Sequence, residues 1–204
     1  GDTADLRIIK KKSSYAEAEA VRINVRSTDR TDPVCAHFGV CGGCKWQDLR
    51  YEKQLEYKQQ QVVDNLVRLG GLDLPPLSPI LASPRTTHYR NKLEFAASAH
   101  RWFTHAELRT LGEITDRTAL GFHIPGRFDK VMHVDTCHLQ PEPSNSIRSF
   151  IHEQARALGL PYYAIRENIG GLRTVLIRTT TTGEVMTLIA FGQDHPEAQK
   201  ELLG

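Results

Sequence analysis

The four cysteines are the residues of this chain best suited to chemistry, because three of them lie within ten positions. Cys35, Cys41 and Cys44 are spaced as C-x5-C-x2-C, and 92 residues separate Cys44 from Cys137. Two glycines lie between Cys41 and Cys44, and they let the backbone turn tightly and direct its amides at a bound metal or cluster. Thiolates grouped in this way are expected to share one metal centre.

The cysteine spacing favours one kind of metal centre over another. A structural zinc site usually pairs two short C-x2-C knuckles, or one knuckle with two histidines, and this chain has a single knuckle. An iron-sulfur cubane is wider than one ion and commonly takes three neighbouring cysteines and one from elsewhere. The pattern therefore favours a [4Fe-4S] cluster held by all four cysteines, with zinc as the alternative. His37 and His138 adjoin ligand positions, and we expect them to be neighbours of the centre rather than ligands.

Composition sets the class of protein. A chain of 204 residues that is 40% hydrophobic and 25% charged is expected to fold, with interior for one large or two modest domains. The net charge of +2 is too small to indicate a nucleic-acid partner, so local basic segments must do so. Without a signal peptide or a long apolar run, the sequence predicts a cytoplasmic protein with no membrane contact. In that reducing compartment cysteines favour metal binding over disulfides.

Motifs for other chemistry are missing from the sequence. It has no glycine-rich strand-to-helix turn for a nucleotide-like cofactor and no P-loop. If all four cysteines hold a metal centre, none is left to act as a nucleophile. The sequence therefore predicts a unit that binds and positions a partner rather than a self-sufficient catalyst, and no obligate protein partner is indicated.

The first part of the chain predicts β-structure followed by a helix. Up to about residue 26 the alternation of apolar residues changes phase near Ala20, which predicts a bulge or bend of the kind that small barrels need. The segment from Lys10 to Tyr15, with three consecutive lysines, is either a solvated turn or a phosphate-contacting loop. After an irregular stretch over residues 27–47, Asp48 is a candidate cap for an amphipathic helix that is ended by the pair Gly70-Gly71.

The second part predicts a mixture of strands and helices. Strands are expected at 88–98, 119–124, 128–134, 162–167, 172–179 and 184–191. A helix is expected from Ser144 to Gly159, with Phe150 and Ile151 on its apolar stripe, and residues 99–116 are expected to be a loop or an insertion. The hairpin of 119–124 and 128–134 runs into Cys137, so it would carry this cysteine to the other three. A further helix, capped by Asp194, starts close to the end of the sequence, and we interpret the chain as a fragment. The fold class is α+β.

Several segments together resemble the 23S rRNA (uracil-5-)-methyltransferases of the RumA/RlmD type, and the resemblance covers essentially the whole chain. The upstream run K-K-K-S-S-Y-A-E-A resembles the second half of the TRAM domain, an OB-like barrel. The other segments are C-A-H-F-G-V-C-G-G-C-K-W-Q from Cys35 to Gln47, the following helix with Tyr51, Gln54, Leu55 and Lys58, Tyr89-Arg90-Asn91-Lys92, Leu120-Gly121-Phe122-His123 and Asp135-Thr136-Cys137.

The resemblance implies a part of a larger enzyme. Residues 1–30 would be the end of the TRAM barrel, 31–193 a central α/β domain with a [4Fe-4S] cluster on Cys35, Cys41, Cys44 and Cys137, and 194–204 the start of a helix leading to an S-adenosylmethionine-binding domain. That last domain, with the family's catalytic residues, has no counterpart in this sequence. The partner would be ribosomal RNA, with a single-stranded or loop uridine of 23S rRNA as the substrate.

Candidate RNA contacts follow from charge and aromaticity. Lysine and arginine hold phosphates, and aromatic rings stack on unpaired bases. Trp46 and Phe122 could stack on bases, although a place in the core is the simpler expectation for both. A zinc-containing RNA-binding adaptor without catalytic activity is the alternative function, and a TRAM-containing radical enzyme is disfavoured because its cysteines would follow C-x3-C-x2-C. The candidate contacts are Lys10, Lys11, Lys12, Arg90, Asn91, Lys92, Phe122 and His123.

Overall fold

The computed structural model describes residues 1–204 and divides into two compact units. The first unit comprises residues 1–33 and 46–83, and the second comprises 34–45 and 84–204. The segment with the three clustered cysteines therefore lies in the same unit as Cys137. No helix of the structure is both long enough and apolar enough to cross a membrane.

The first unit begins with a two-stranded antiparallel ribbon of β1 (Thr3–Lys11) and β2 (Ala16–Val25). The pairing passes from Leu6 opposite Ala20 to Asp5 opposite Arg22, so one residue of β2 is bulged beside Ala20, as the change of alternation predicted. The ribbon leaves its apolar side chains largely exposed. Two strands cannot close on themselves, so the structure has an open ribbon where part of a barrel was expected.

A helix completes the first unit. It runs as α1 over Tyr51–Asp64 and continues as a π-helical turn over Asn65–Leu69. Gly71, with a φ of 63°, follows the end of the turn, as the glycine pair predicted. The predicted cap was wrong, because Arg50 precedes the helix and no side chain caps it.

Asp48 instead belongs to an ion-pair cluster around Arg30. The Arg30 guanidinium donates to the carboxylates of both Asp2 and Asp48. The hydrogen bonds from Arg30 hold the pKa of Asp2 well below its usual range. This cluster ties the ribbon to the segment that leads into α1, which is why the Asp48 carboxylate does not turn towards the helix amides.

The second unit is built on a six-stranded sheet with the spatial order β4-β6-β5-β3-β7-β8. Neighbouring strands pair antiparallel, except for the parallel pair β4 and β6. The strand predicted at 162–167 was wrong, because Tyr162 and Ala164 form only isolated bridges. The strands are β3 (Lys92–Ser98), β4 (Arg101–Trp102), β5 (Ala119–His123), β6 (Val131–His133), β7 (Leu172–Thr179) and β8 (Val185–Phe191).

Three helices accompany this sheet: α2 (His105–Thr110), α3 (Ser144–Ala157) and α4 (Pro196–Leu203). The core forms where Phe95 and Val175, opposite each other on β3 and β7, join the apolar side of α3. α2 was not predicted, although Thr104 and Glu107 form a capping box at its start.

Two details of the helix predictions for the second unit were wrong. Phe150 of α3 is 57% exposed, although the spacing assigned it to the apolar stripe. His195, not Asp194, precedes α4.

Candidate four-cysteine site

The knuckle between Cys41 and Cys44 packs directly on the end of β5. The Gly42 N–H donates to the carbonyl oxygen of His123 at 3.1 Å. A Cβ at Gly42 would lie 2.4 Å from that oxygen, closer than any side chain tolerates, so glycine is required by close approach rather than by an unusual φ. The Gly43 N–H points at the Cys41 sulfur at 3.4 Å.

Cys137 lies in the loop after β6, and α3 holds this loop by its side chains. Asn145 accepts the Cys137 N–H at 2.8 Å and donates to the Cys137 carbonyl oxygen at 3.2 Å. Arg148 donates to the carbonyl oxygen of Asp135 at 2.6 Å. Because β5 and β6 form the antiparallel pair that leads into this loop, the hairpin and α3 together determine where Cys137 sits.

His37 connects the two cysteine-bearing segments. The backbone N–H of Asp135 donates to Nε2 of His37 at 3.1 Å, so Nε2 is an acceptor and the ring proton lies on Nδ1. The Asp135 carboxylate lies 3.6 Å from Nε2 of His37 and 3.8 Å from Nε2 of His133. His37 thus fastens one segment to the other, which is the role of a neighbour of the site rather than of a ligand.

The four thiols influence one another electrostatically. Burial raises the pKa of Cys41 to about 11, the Gly43 N–H opposes this rise, and the charges of Cys44, Cys35 and Cys137 add to it. Burial also raises the pKa of Cys137, and Cys44 and Cys35 contribute in the same direction. The sulfurs are therefore near enough for the charge on one to disfavour charge on the others, and deprotonating all four requires compensating positive charge.

No three histidine, cysteine, aspartate or glutamate side chains of the structure are arranged to hold a metal ion. The structure thus brings the cysteine segments together without forming a single-ion site. The iron-sulfur ligation expected from the sequence stays a prediction. One feature of the Cys137 loop fits an anionic group there: Arg148, which donates to the Asp135 carbonyl oxygen, has a buried Nε without a hydrogen-bond partner.

The candidate RNA contacts lie in different places. Lys10, Lys11 and Lys12 are exposed at the turn of the ribbon, where the Lys12 ammonium lies 5.3 Å from the ring centre of Tyr15. Trp46, also in the first unit, is 41% exposed and has the Lys58 ammonium 5.8 Å from its ring centre.

In the second unit Arg90, Asn91 and Lys92 are exposed at the start of β3. The Arg90 N–H donates to Leu139, so this segment runs beside the chain that follows Cys137. His123 is exposed at the end of β5.

Phe122 is not an exposed stacking platform. Its ring is half-buried with its centre 5.1 Å from that of Phe95, and it packs against the core. The ring thus has a packing role, as the simpler expectation had it, and its contact with RNA stays a prediction. The ring also lies 3.8 Å from where a Cβ of Gly43 would be, so it supports the knuckle.

A basic residue that the sequence did not single out, Arg178, faces Lys92 across the sheet. The two are directly paired between β3 and β7, and both are exposed. No ion pair of the structure includes either of them. Like charges directly opposite each other destabilise a sheet, whereas an anion bound across them removes the repulsion. The sequence signal for Arg178 was its place among the outward-facing positions of β7. Only the pairing of β7 with β3 shows that Lys92 lies opposite it.

Comparison with known proteins places the chain beside enzymes that act on RNA. A protein of Bacteroides thetaiotaomicron named an uncharacterized RNA methyltransferase is 48% identical over 206 residues, which cover 100% of this chain and 45% of that protein. The curated relatives of this chain carry the name RNA methyltransferase. One from Porphyromonas gingivalis is 44% identical over 208 residues, with 45% of its length covered. The chain thus spans less than half the length of these curated relatives. No family model matches it.

A solved structure shares the fold. The crystal structure of Pyrococcus abyssi tRNA (uracil-54, C5)-methyltransferase in complex with S-adenosyl-L-homocysteine superposes with a TM-score of 0.62 at 21% identity. The match covers 98% of this chain and 42% of that chain. At this identity the likeness shows the mixed α/β fold.

Proposed function

We propose that this chain is the RNA-binding and cluster-binding part of an S-adenosylmethionine-dependent RNA methyltransferase that modifies C5 of a uridine in 23S rRNA. The observation that carries the proposal is the similarity of the entire chain to proteins named RNA methyltransferases. The tRNA enzyme of the same fold is named for C5 of uracil, which supports this position as the site of methylation. Methyl transfer itself is assigned to the remainder of the parent enzyme, and no residue of this chain is given a catalytic role.

The reaction explains why such an enzyme needs a separate RNA-holding part. Uracil C5 is a poor nucleophile until a thiolate adds to C6, and the base must leave its stack before either atom is reached. Extrusion costs unstacking energy, which contacts to the flanking RNA can supply. The contribution of this chain is to hold the phosphates and flanking bases while the uridine is displaced.

Basic side chains on the second unit are suited to that contact. Arg90, Lys92 and Arg178 are exposed on or beside the same end of β3 and β7, where a phosphate would relieve the repulsion between Lys92 and Arg178. Lys10, Lys11 and Lys12 form a separate basic turn on the first unit. RNA phosphates are the ligands that such exposed, unpaired cations favour.

The cysteine site is proposed to hold a [4Fe-4S] cluster through Cys35, Cys41, Cys44 and Cys137. Four thiols with interacting charges and a nearby buried guanidinium fit an anionic cluster. When bound, the cluster would supply a covalent link between the Cys35–Cys44 segment and the loop of Cys137. In the chain itself, His37, Asn145 and the Gly42 contact to His123 already hold these segments in place.

The zinc-containing RNA-binding adaptor is the less favoured function. A zinc ribbon usually pairs two short knuckles, and this chain has the single knuckle from Cys41 to Cys44. A cubane commonly takes three neighbouring cysteines and one from elsewhere, which is the spacing of Cys35, Cys41, Cys44 and Cys137.

The proposal is tested on the chain and on the parent enzyme. After anaerobic reconstitution with iron and sulfide, the chain should be brown and contain about four irons and four sulfides. Zinc without iron would support the adaptor. The parent enzyme should transfer a methyl group from S-adenosylmethionine to C5 of one uridine in 23S rRNA, and methylation only of another RNA would refute the assigned substrate.

A further inference from the structure

Arg148 is a fully buried cation in the second unit. It is 0% exposed, and its side chain is the largest of the fully buried side chains in the structure. The guanidinium stays protonated at every physiological pH, so its charge is buried as well. A buried charge is costly unless an opposite charge and hydrogen bonds compensate for it.

The hydrogen bonds of Arg148 are incomplete. One terminal nitrogen, Nη2, donates to the carbonyl oxygen of Asp135, and the buried Nε has no partner. The carbon of the guanidinium lies 5.6 Å from the ring centre of Phe95, which offers only a weak attraction.

No carboxylate forms an ion pair with Arg148. The Asp135 side chain is 78% exposed and lies against two histidines instead. The Glu142 carboxylate accepts hydrogen bonds from Asn145 and Ser146.

One acidic group whose charge acts on the guanidinium is a cysteine. Asp135, Cys137 and Glu142 are the groups whose negative charge acts on Arg148. Of these only Cys137 is buried, and it lies on the loop whose backbone Arg148 holds. The charge that would balance the buried guanidinium is therefore negative charge on sulfur.

We propose that Arg148 is the buried counter-charge of the four-cysteine site. Its guanidinium stabilises the negative sulfur of a thiolate-ligated cluster, and its Nε–H is available as a donor to that site. This inference rests on the proposed function, since it takes the cluster as the ligand. It makes Arg148 a positioning and tuning residue, which acts on the cluster by charge and on the Cys137 loop by its bond to Asp135.

Neutral substitutions at Arg148 separate the effect of its charge from the effect of its packing. Arg148→Met removes the charge and fills the space with an unbranched apolar chain, and Arg148→Gln keeps an N–H donor for the Asp135 carbonyl oxygen. Arg148→Lys keeps the charge. The matched control is Arg156→Met on the same helix, because the Arg156 side chain is 49% exposed and pairs with Asp116.

The test uses the reconstituted chain and measures iron, sulfide and the midpoint potential of the cluster. Removing a positive charge disfavours the more negative, reduced form, so both neutral variants should shift the potential downward by a tenfold change in the redox equilibrium, about 59 mV for one electron. They should also lose iron about tenfold faster in air, since the anionic cluster has lost its counter-charge. Arg148→Lys should restore most of the potential, and Arg156→Met should match the unsubstituted chain.

In the chain without a cluster, we expect the neutral substitution to have no destabilising effect. The ligand-free Arg148→Met chain should be at least as resistant to denaturation as the unsubstituted chain, because an uncompensated buried charge is gone. If Arg148→Met does not fold, Arg148→Gln makes the same measurement. Unchanged potential and iron loss in a neutral variant, with a cluster present in the unsubstituted chain, overturns this inference alone. An unsubstituted chain that takes up no iron and sulfide overturns the proposed cluster and this inference together.

Discussion

The backbone N–H of Gly42 and the carbonyl oxygen of His123 are joined by a 3.1 Å hydrogen bond, and a single added carbon at Gly42 would lie 2.4 Å from the same oxygen. This contact fixes the cysteine knuckle to the last residue of β5. The adjacent Gly43 is under no such restriction, since a Cβ there meets the Cys41 sulfur at 3.5 Å and the Phe122 ring at 3.8 Å, which are ordinary contacts. Two neighbouring glycines therefore differ in what they tolerate.

Gly42→Ala should detach the knuckle from β5. The added methyl group cannot be accommodated without moving backbone, so we expect a loss of about 1–3 kcal/mol in the free energy of unfolding of the second unit. Chemical denaturation followed by the signal of Trp102, which lies on β4, measures this loss. We also expect less iron to be bound after reconstitution.

Gly43→Ala is the matched control, because it adds the same methyl group one residue away and keeps the N–H that points at Cys41. It should retain the stability and iron content of the unsubstituted chain. Equal effects of the two substitutions would show that the contact with His123 does not position the knuckle.

Asn145→Ala should loosen Cys137 while leaving all four sulfurs in the chain. The side chain of Asn145 satisfies both the N–H and the carbonyl oxygen of Cys137, and its loss leaves partly buried backbone groups without partners, at a cost of about 1–3 kcal/mol. The reconstituted variant should release iron faster to a chelator. Cys137→Ser, which removes the ligand itself, should lose the cluster, and unchanged iron content in that variant would refute the ligand assignment.

Charge on the sheet should govern RNA affinity. Lys92→Ala and Arg178→Ala should each weaken binding of an rRNA fragment and lower the slope of log K against log salt by about 1, because each removes one phosphate contact. Arg90→Ala should behave similarly. Arg109→Ala, at an exposed arginine on α2, is the control. Undiminished affinity in all three sheet-side variants would remove this surface from the RNA site.

Local patterns were sufficient for much of the fold. The structure has the alternation in β3 and β7, the apolar side of α3 and the change of phase beside Ala20. Each of these features depends only on residues that are neighbours in the sequence. The cap predicted at Asp48 failed because that carboxylate pairs with a distant residue, Arg30, and no side chain caps the helix. An ion pair across 18 residues is not visible in a local pattern.

The parts of the site that sequence could not supply depend on the pairing of strands and the packing of α3. Helical spacing places Arg148 on the same side of α3 as Ile151 and Ala155, but it does not show that the guanidinium meets the backbone of the Cys137 loop. Lys92 and Arg178 become a basic pair only through the register of β3 with β7. Phe122 was considered for stacking on RNA, and only its contact with Phe95 shows that it packs inward.

Two buried histidines in ring contact make the stability of the second unit dependent on pH. The rings of His133 and His152 have centres 4.3 Å apart, and burial lowers the pKa of each to about 4. The charge of His152 lowers the pKa of His133 further, the positive charge of Arg148 lowers the pKa of both rings, and Asp135 opposes the shift at His133. The other charged groups that act on this pair are Asp116, Arg156 and Arg101.

The direction of the effect follows from which state binds protons. An unfolded chain protonates these histidines near their ordinary pKa of about 6.5, whereas the folded chain resists protonation until about pH 4. Stability is therefore complete above about pH 6.5 and falls as the pH drops towards 4, by about 1.4 kcal/mol for each unit of pKa difference. Denaturation of the ligand-free chain at a series of pH values measures this slope.

His133→Gln should flatten that pH dependence. The side-chain oxygen of glutamine can accept the Leu120 N–H that His133 Nδ1 accepts at 3.2 Å, so the folded unit keeps the hydrogen bond and loses one buried titrating group. His105→Gln, at an exposed position, removes an imidazole without altering the buried pair and serves as the control. A slope between pH 6.5 and 4 that is as steep in His133→Gln as in the unsubstituted chain would show that protonation of this histidine pair does not drive the acid sensitivity.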